Sequence, residues 1–318
     1  KYVSSLTALD SIIFAGTFDG VFFSTNNGDS WTQTGINCKK VSTITGKENI
    51  LFTGTESGVY LSTNHGMSWT QTALKDLWTY SLAMCGNNIF AGAGGVYIST
   101  NNGTSWAKTT LDNLYVDALA VKENNIFAGT QIYGVYISTN NGQNWTQTGL
   151  NNQSVISLAI NGDNIFAGTG NGVYLSTNNG TSWTQTGLNN NTVKCLAING
   201  SNIYAGTDGY GVYLSTDNGT YWTQIGLTNK TIGSLVTIGN SIFAGTNFPM
   251  SEGVYLSTNN GETWTEINQG FNSTPSVNTL LISDNYIIAG THGQAVWRRP
   301  LSDFTGIQSI STEIPSAY

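Results

Sequence analysis

The chain has 318 residues and a formal net charge of −7, drawn from 18 carboxylates and 11 lysines or arginines, so charged residues make up only 9% of it. Its two arginines, Arg298 and Arg299, cannot form the basic stripe of a nucleic-acid binder, and no apolar run approaches the roughly 20 residues that span a bilayer. Glycine is abundant at 38 copies and aromatics reach 11%, a turn-rich β composition that excludes disorder and predicts a folded, soluble domain.

Read along the chain, one phrase returns. It stands as 24-STNNGDSW-31, 62-STNHGMSW-69, 99-STNNGTSW-106, 138-STNNGQNW-145, 176-STNNGTSW-183, 215-STDNGTYW-222 and 257-STNNGETW-264, with tryptophans 38, 37, 39, 38, 39 and 42 residues apart. A second phrase, 13-IFAGT in the first unit and 287-IIAGT in the last, occurs eight times. Each full unit divides into four strand-like pieces, as in 155-VISLAI-160, 164-NIFAGT-169, 172-GVYLST-177 and 182-SWTQTG-187, with Gly or Asn at the breaks.

A unit of about 40 residues with four short strands is the period of a propeller blade. The expected fold is all-β: one β-propeller of four-stranded antiparallel blades over residues 1–303, eight in number, with seven as the alternative. The blades fall at about 1–38, 39–75, 76–112, 113–151, 152–189, 190–228, 229–272 and 273–303. The last lacks a tryptophan ending, so residues 304–318 are expected to supply a closing strand or a linker. Residues upstream of Lys1 are the other source of that strand.

The recurring ending resembles the Asp-box, or bacterial neuraminidase, repeat, S-x-D-x-G-x-x-W. Its Asp position is held by Asn26, Asn64, Asn101, Asn140, Asn178, Asp217 and Asn259, and its closing aromatic by Trp31, Trp69, Trp106, Trp145, Trp183, Trp222 and Trp264. The side-chain oxygen at the Asp position serves the turn backbone, Gly28 and its equivalents take a positive φ, and the tryptophan packs beside the hairpin. Recurrence in seven units marks these residues as structural, because a single ligand site does not need seven copies.

Chemistry is sparse. Asp-box propellers include sialidases, and that resemblance implies three separated arginines, which two adjacent ones cannot provide. They also include xyloglucanase-like glycosidases, which need paired carboxylates; Asp19, Glu56, Asp208 and Glu252 qualify by type, yet each sits beside a glycine in a turn. His65 and His292 are isolated, so no catalytic residue, metal site or cofactor is expected. Cys38, Cys85 and Cys195 fall at different points of the repeat and are expected as unpaired structural thiols. Photosystem assembly factors of the Asp-box type share the repeat grammar, but the shortage of arginine adds nothing toward that role.

Individuality resides where near-identical repeats differ. One column, early in each innermost strand, reads Ser4, Ser42, Tyr80, Asp117, Ile156, Lys194, Gly233 and Asn278. It is expected to ring one mouth of the central channel. Trp78, Tyr115, Tyr133, Tyr210, Phe248 and Phe271 come from loops on the same face. Tyr80, Asp117, Lys194, Asn278, Trp78, Tyr115, Tyr133 and Tyr210 are therefore the candidate ligand site, with aromatic faces to stack on sugars and polar groups to bind hydroxyls. The functional expectation is a non-enzymatic binding module for carbohydrate or another surface polymer. The alternatives are a self-associating extracellular scaffold, suited to the neutral Asn, Thr and Ser surface, and a glycosidase of the xyloglucanase-like type.

The start at Lys1 without a Met or leader suggests a processed or trimmed form. The tail 298-RRPLSDFTGIQSISTEIPSAY-318 resembles the junction in bacterial type IX secretion substrates, where a propeller gives way to a linker and a C-terminal sorting domain. That resemblance implies secretion or an outer-surface location, with neither nucleic acid nor membrane insertion among the partners.

Overall fold

A computed structural model describes residues 1–37, 39–249 and 251–304. It is a β-propeller. The first sheet is Val3–Leu9 (β1), Ile12–Thr17 (β2), Gly20–Ser24 (β3) and Thr32–Asn37 (β4), and the second is Val41–Lys47 (β5), Ile50–Thr55 (β6), Gly58–Ser62 (β7) and Thr70–Lys75 (β8). A six-stranded sheet follows: Ser81–Cys85 (β9), Asn88–Ser99 (β10), Ala107–Lys122 (β11), Asn125–Thr130 (β12), Val135–Ser138 (β13) and Thr146–Gln147 (β14). The next three sheets are four-stranded: Val155–Asn161, Asn164–Thr169, Gly172–Ser176 and Thr184–Asn189 (β15 to β18); Val193–Asn199, Asn202–Thr207, Val212–Ser215 and Thr223–Gly226 (β19 to β22); and Ile232–Ile238, Ser241–Thr246, Val254–Ser257 and Thr265–Glu266 (β23 to β26). The last has three strands, Ser276–Ser283 (β27), Tyr286–His292 (β28) and Val296–Pro300 (β29). Each sheet is an antiparallel meander, as hairpin-length links between strands dictate.

The six-stranded sheet corrects the expectation of four-stranded blades throughout, and its sequence explains it. Elsewhere the second-strand phrase ends in Thr, whose hydroxyl donates to the carbonyl three to seven residues on and closes the turn, as Thr17 Oγ1 does to Gly20 O at 2.9 Å and Thr169 Oγ1 to Gly172 O at 2.9 Å. The third unit has Ala93 there and a loop one residue shorter, so no break separates its second and third strand pieces, and β10 pairs with β9 through Asn88–Gly92 and, past a shift in register at Gly95, with β11. In β11, Leu114 and Tyr115 replace the polar Gln153 and Ser154 of the following unit, and the chain stays extended from one repeat into the next.

Innermost strands pack on one another in the cyclic order β1, β5, β9, β11, β15, β19, β23, β27 and back to β1. The seam is stitched by Asn278 Nδ2 donating to Val3 O at 2.9 Å and by a bridge between Tyr2 and His292. Among the described residues no fourth strand completes the last sheet. A cavity of about 290 Å³ lies there, lined by Lys1, Phe22, Trp31 and Val296. The closing-strand and linker reading of the tail lies, from residue 305 on, outside the described residues, as does Cys38.

The core is a series of layers between neighbouring repeats. Phe127, Val135 and Leu150 of one repeat bury with Val155, Ile165 and Ala167 of the next, each contributing about 1.5–3 kcal/mol if large and aliphatic or aromatic. Close approach explains the glycine of the second-strand phrase: a Cβ on Gly129 would stand 2.6 Å from Val155 Cγ1 across the layer. Within the Asp box, Asn26 Oδ1 accepts from Ser24 Oγ at 2.8 Å and from Ser30 N at 3.0 Å, while Asn27 and Gly28 take φ of 54° and 83°. Trp31 Nε1 donates to Gly28 O at 3.1 Å. Cys85 and Cys195 are free thiols, and burial pushes Cys195 up to about 12, so it is a packed, inert group at neutral pH.

No helix of the described residues is long and apolar enough to cross a membrane.

Candidate functional site

The variable column has a structural cause. In seven repeats the pairing of the innermost strand with its neighbour slips at one residue: between Val3 and Ser5, Val41 and Thr43, Val116 and Ala118, Val155 and Ser157, Val193 and Cys195, Ile232 and Ser234, and Val277 and Thr279. The residue inside each slip is Ser4, Ser42, Asp117, Ile156, Lys194, Gly233 or Asn278. In the remaining repeat the equivalent Tyr80 lies just before β9, its N–H donating to Gly92 O at 2.8 Å. A bulged residue has no ladder partner to match, so its side chain is free to vary while the residue before it, a buried Val or Ile, stays fixed. All eight are half-buried.

Three of the predicted aromatics converge. Trp78 and Tyr80 stack with centroids 5.6 Å apart and planes 11° from parallel, and Tyr115 meets Tyr80 edge-on at 5.9 Å. Trp78 Nε1 donates to Ser42 Oγ at 3.0 Å, fixing the indole against the bulge of the preceding repeat. The cluster continues through residues the sequence reading missed. Lys40 Nζ lies 5.9 Å from the Trp78 ring and 5.4 Å from Phe18, Phe18 stacks on Tyr2 at 4.0 Å, and Tyr2 meets His292 at 4.9 Å. Phe18 occupies the turn after the second-strand Thr, the position from which the reading took Tyr133 and Tyr210 nearby, and that shared position was the available signal. Lys40 carried none.

On the other side of Tyr115 stands Asp117. Its Oδ1 accepts from Gln131 Nε2 at 3.3 Å, and among the described residues no lysine, arginine or histidine pairs with it. Burial raises its carboxyl above the ordinary Asp value, opposed by the Gln131 bond. Tyr80 is raised as well, by burial first and then by Tyr115 and the Asp117 charge, which places the three groups within one another's field. Tyr115, Gln131 and Tyr133 line a cavity of about 210 Å³ with Asn113 and Ile132. It is smaller than the ~300–1,000 Å³ of a pocket that engulfs a whole ligand, and so suits one ring or side chain.

The other predicted residues are engaged elsewhere. Lys194 pairs with Asp208 at 3.2 Å, and Thr231 Oγ1 donates to the same carboxylate at 2.9 Å. Tyr210 is exposed two residues from Asp208, and Asn278 belongs to the seam, where Asn247 Nδ2 also reaches it at 3.5 Å. Glu252 pairs with Lys230 and accepts from the Tyr255 hydroxyl at 2.7 Å; the Lys230 bond, then the Tyr255 bond, hold it below the usual carboxylate range. A carboxylate so held is a poor proton donor near neutral pH. Glu56 accepts from Lys40 N at 3.4 Å, and Asp19 N donates to Thr17 Oγ1 at 3.0 Å, both as turn residues. No three His, Cys, Asp or Glu side chains stand together as metal ligands among the described residues.

Comparison with known proteins agrees with this architecture. The BNR/Asp-box repeat model matches residues 136–147, the hairpin around Asn140 and Trp145. No curated protein sequence matches the chain. Among solved structures, a computationally designed protein superposes with a TM-score of 0.80 at 15% identity, over 94% of this chain and 96% of the other. BamB from Moraxella catarrhalis gives 0.66 at 13% identity, over 92% of both chains. An ancestral GH74 enzyme gives 0.59 at 19% identity over 96% of this chain, which spans 61% of that enzyme. Such identities carry the fold alone.

Proposed function

We propose that this chain is a non-enzymatic binding module acting outside the cell, which takes carbohydrate or another surface polymer on the aromatic arc at one mouth of its channel. The propeller is read as eight-bladed: eight innermost strands succeed one another around the ring, β10 serves as the second and third strands of the third blade, and β11 serves as the last strand of that blade and the first of the next. The blades follow the boundaries given by the repeats, and the tail is read as the junction to a secretion signal of the type IX kind. The extracellular domain of a B. thetaiotaomicron protein, seen in two structures, shares the fold at 18% identity, which is compatible with a site outside the cell.

The observation that carries the binding reading is the aromatic arc in which Tyr2 stacks on Phe18, Lys40 lies between Phe18 and Trp78, and Trp78, Tyr80 and Tyr115 pack in turn, beside the bulged residues Ser42 and Asp117. Flat rings bordered by Ser, Gln and Asp oxygens and amides suit the alternating apolar faces and hydroxyl edges of sugars. A lectin-like role is favoured over catalysis because Asp208 and Glu252, the carboxylates best placed by type, are each tied to a lysine.

A glycan-array screen of the purified chain tests this, with products assayed on every hit. Saturable binding without turnover supports the proposal. Turnover would make the chain a glycosidase of the kind its GH74 neighbours represent, and no binding together with oligomers in light scattering would favour an extracellular scaffold.

A further inference from the structure

The arc is charged unevenly, and the unevenness points to its ligand. At one end the protein supplies its own ammonium, Lys40 Nζ, between the Phe18 and Trp78 rings. At the other end the Tyr80 and Tyr115 rings stand beside the Asp117 carboxylate, and no cation among the described residues pairs with it. The second charged residue of the bulge ring, Lys194, is already neutralised by Asp208.

Resting on the carbohydrate reading above, we infer that the Tyr80, Tyr115 and Asp117 end of the arc receives a protonated amine borne on a sugar ring, so that the favoured ligand is an oligomer containing 2-amino-2-deoxyhexose.

The chemistry of the corner is that of a cation site. Two aromatic rings offer electron-rich faces, and a cation within about 6 Å of such a face gains more as it is desolvated. A half-buried carboxylate supplies the opposite charge, and its single partner among the described residues, Gln131 Nε2 on Oδ1, leaves Oδ2 to accept an N–H from a ligand. The cavity of about 210 Å³ beside Tyr115 has room for one ring, so the amine can sit on Asp117 while its own or the adjacent sugar fills that space. A net charge of −7 adds a long-range attraction for a polycationic chain. Lys40 lies beyond Trp78, two rings away from the proposed amine position. It opposes a second amine at its own end and so sets a direction along the arc.

Calorimetric titration of the whole chain with three tetramers tests the inference: β-1,4-linked glucosamine at a pH where its amines are protonated, its fully N-acetylated form, and the uncharged cellotetraose. Glucosamine tetramer is expected to bind at least tenfold more tightly than the other two. Asp117→Asn should remove that advantage, weakening the glucosamine tetramer at least tenfold more than either neutral tetramer, while Tyr80→Ala weakens all three. Asp117→Ser is the companion variant, since Ser4 and Ser42 already occupy this bulge in two repeats and the fold accepts it. Equal binding of all three tetramers, or an equal loss for all three in both Asp117 variants, overturns the amine inference and leaves sugar binding standing. Absence of binding by any tetramer, together with a blank glycan array, overturns both.

Discussion

Gly219, in the Asp box of one repeat, lies against Phe166 in the second strand of the repeat before it, and a Cβ on the glycine would stand 2.6 Å from the ring Cε1. Gly180 meets Phe127 in the same way, at 2.9 Å. The motif is therefore a fastener between repeats as well as a turn within one. Gly219→Ala adds steric overlap to an unfavourable φ of 86° and is expected to cost about 2–5 kcal/mol. Gly162→Ala, at φ 57° in open space, should cost only ~1–2 kcal/mol. Urea unfolding of both variants checks the difference, and equal losses would mean the Phe166 contact contributes nothing.

The seven tryptophans are not equivalent. Trp145 Nε1 donates to Gly142 O at 3.2 Å, whereas Trp183 Nε1 is buried without a partner among the described residues. Both rings pack alike, so replacement by Phe isolates the indole N–H. Trp145→Phe is expected to destabilise more than Trp183→Phe by about 1 kcal/mol, read as the difference in urea midpoint at constant slope.

Asp217 is the one true aspartate among the seven boxes. Its carboxyl is held below the usual Asp value, first by the Tyr221 N–H, then by the Ser215 hydroxyl. A depressed folded-state pKa stabilises above the unfolded value and loses that stabilisation as pH falls through the folded one. Asp217→Asn converts this box to the form of its six relatives. Thermal unfolding against pH should show a melting temperature that falls less steeply below about pH 4 than in the parent.

Asp117 has the opposite sign. Its raised pKa means the folded chain holds a proton more tightly than the unfolded chain, so ionisation weakens the fold as pH rises through the interval above the ordinary Asp value. Asp117→Asn keeps a group for Gln131 to bond and removes the charge. The variant is expected to melt higher than the parent at neutral pH and to lose that advantage below about pH 4, a pattern that melting curves across the range will reveal. Stability gained on removing a charge is what a position kept for binding rather than for the fold is expected to show.

The sequence alone carried everything that repeats. Strand alternation, the second-strand phrase and the Ser-Asn-Gly-Trp hairpin are local, each encoded within a few residues of chain, and printed many times over they specify the propeller and the structural role of Asn140 or Trp145. It also isolated the variable column, because Tyr80, Asp117 and Lys194 differ where their neighbours do not. Tertiary structure decided what that column is and whom it meets. The slip in register at Asp117 depends on pairing with β12, the overlap of Gly219 with Phe166 crosses between repeats, and the fusion of strands around Ala93 turns on one absent hydroxyl and one missing loop residue. Above all, Lys194 and Asp117 look alike in the column as charged residues. One is neutralised by Asp208 and the other is left beside two tyrosine rings, because a charge is settled by its neighbours in space, which the order of residues does not state.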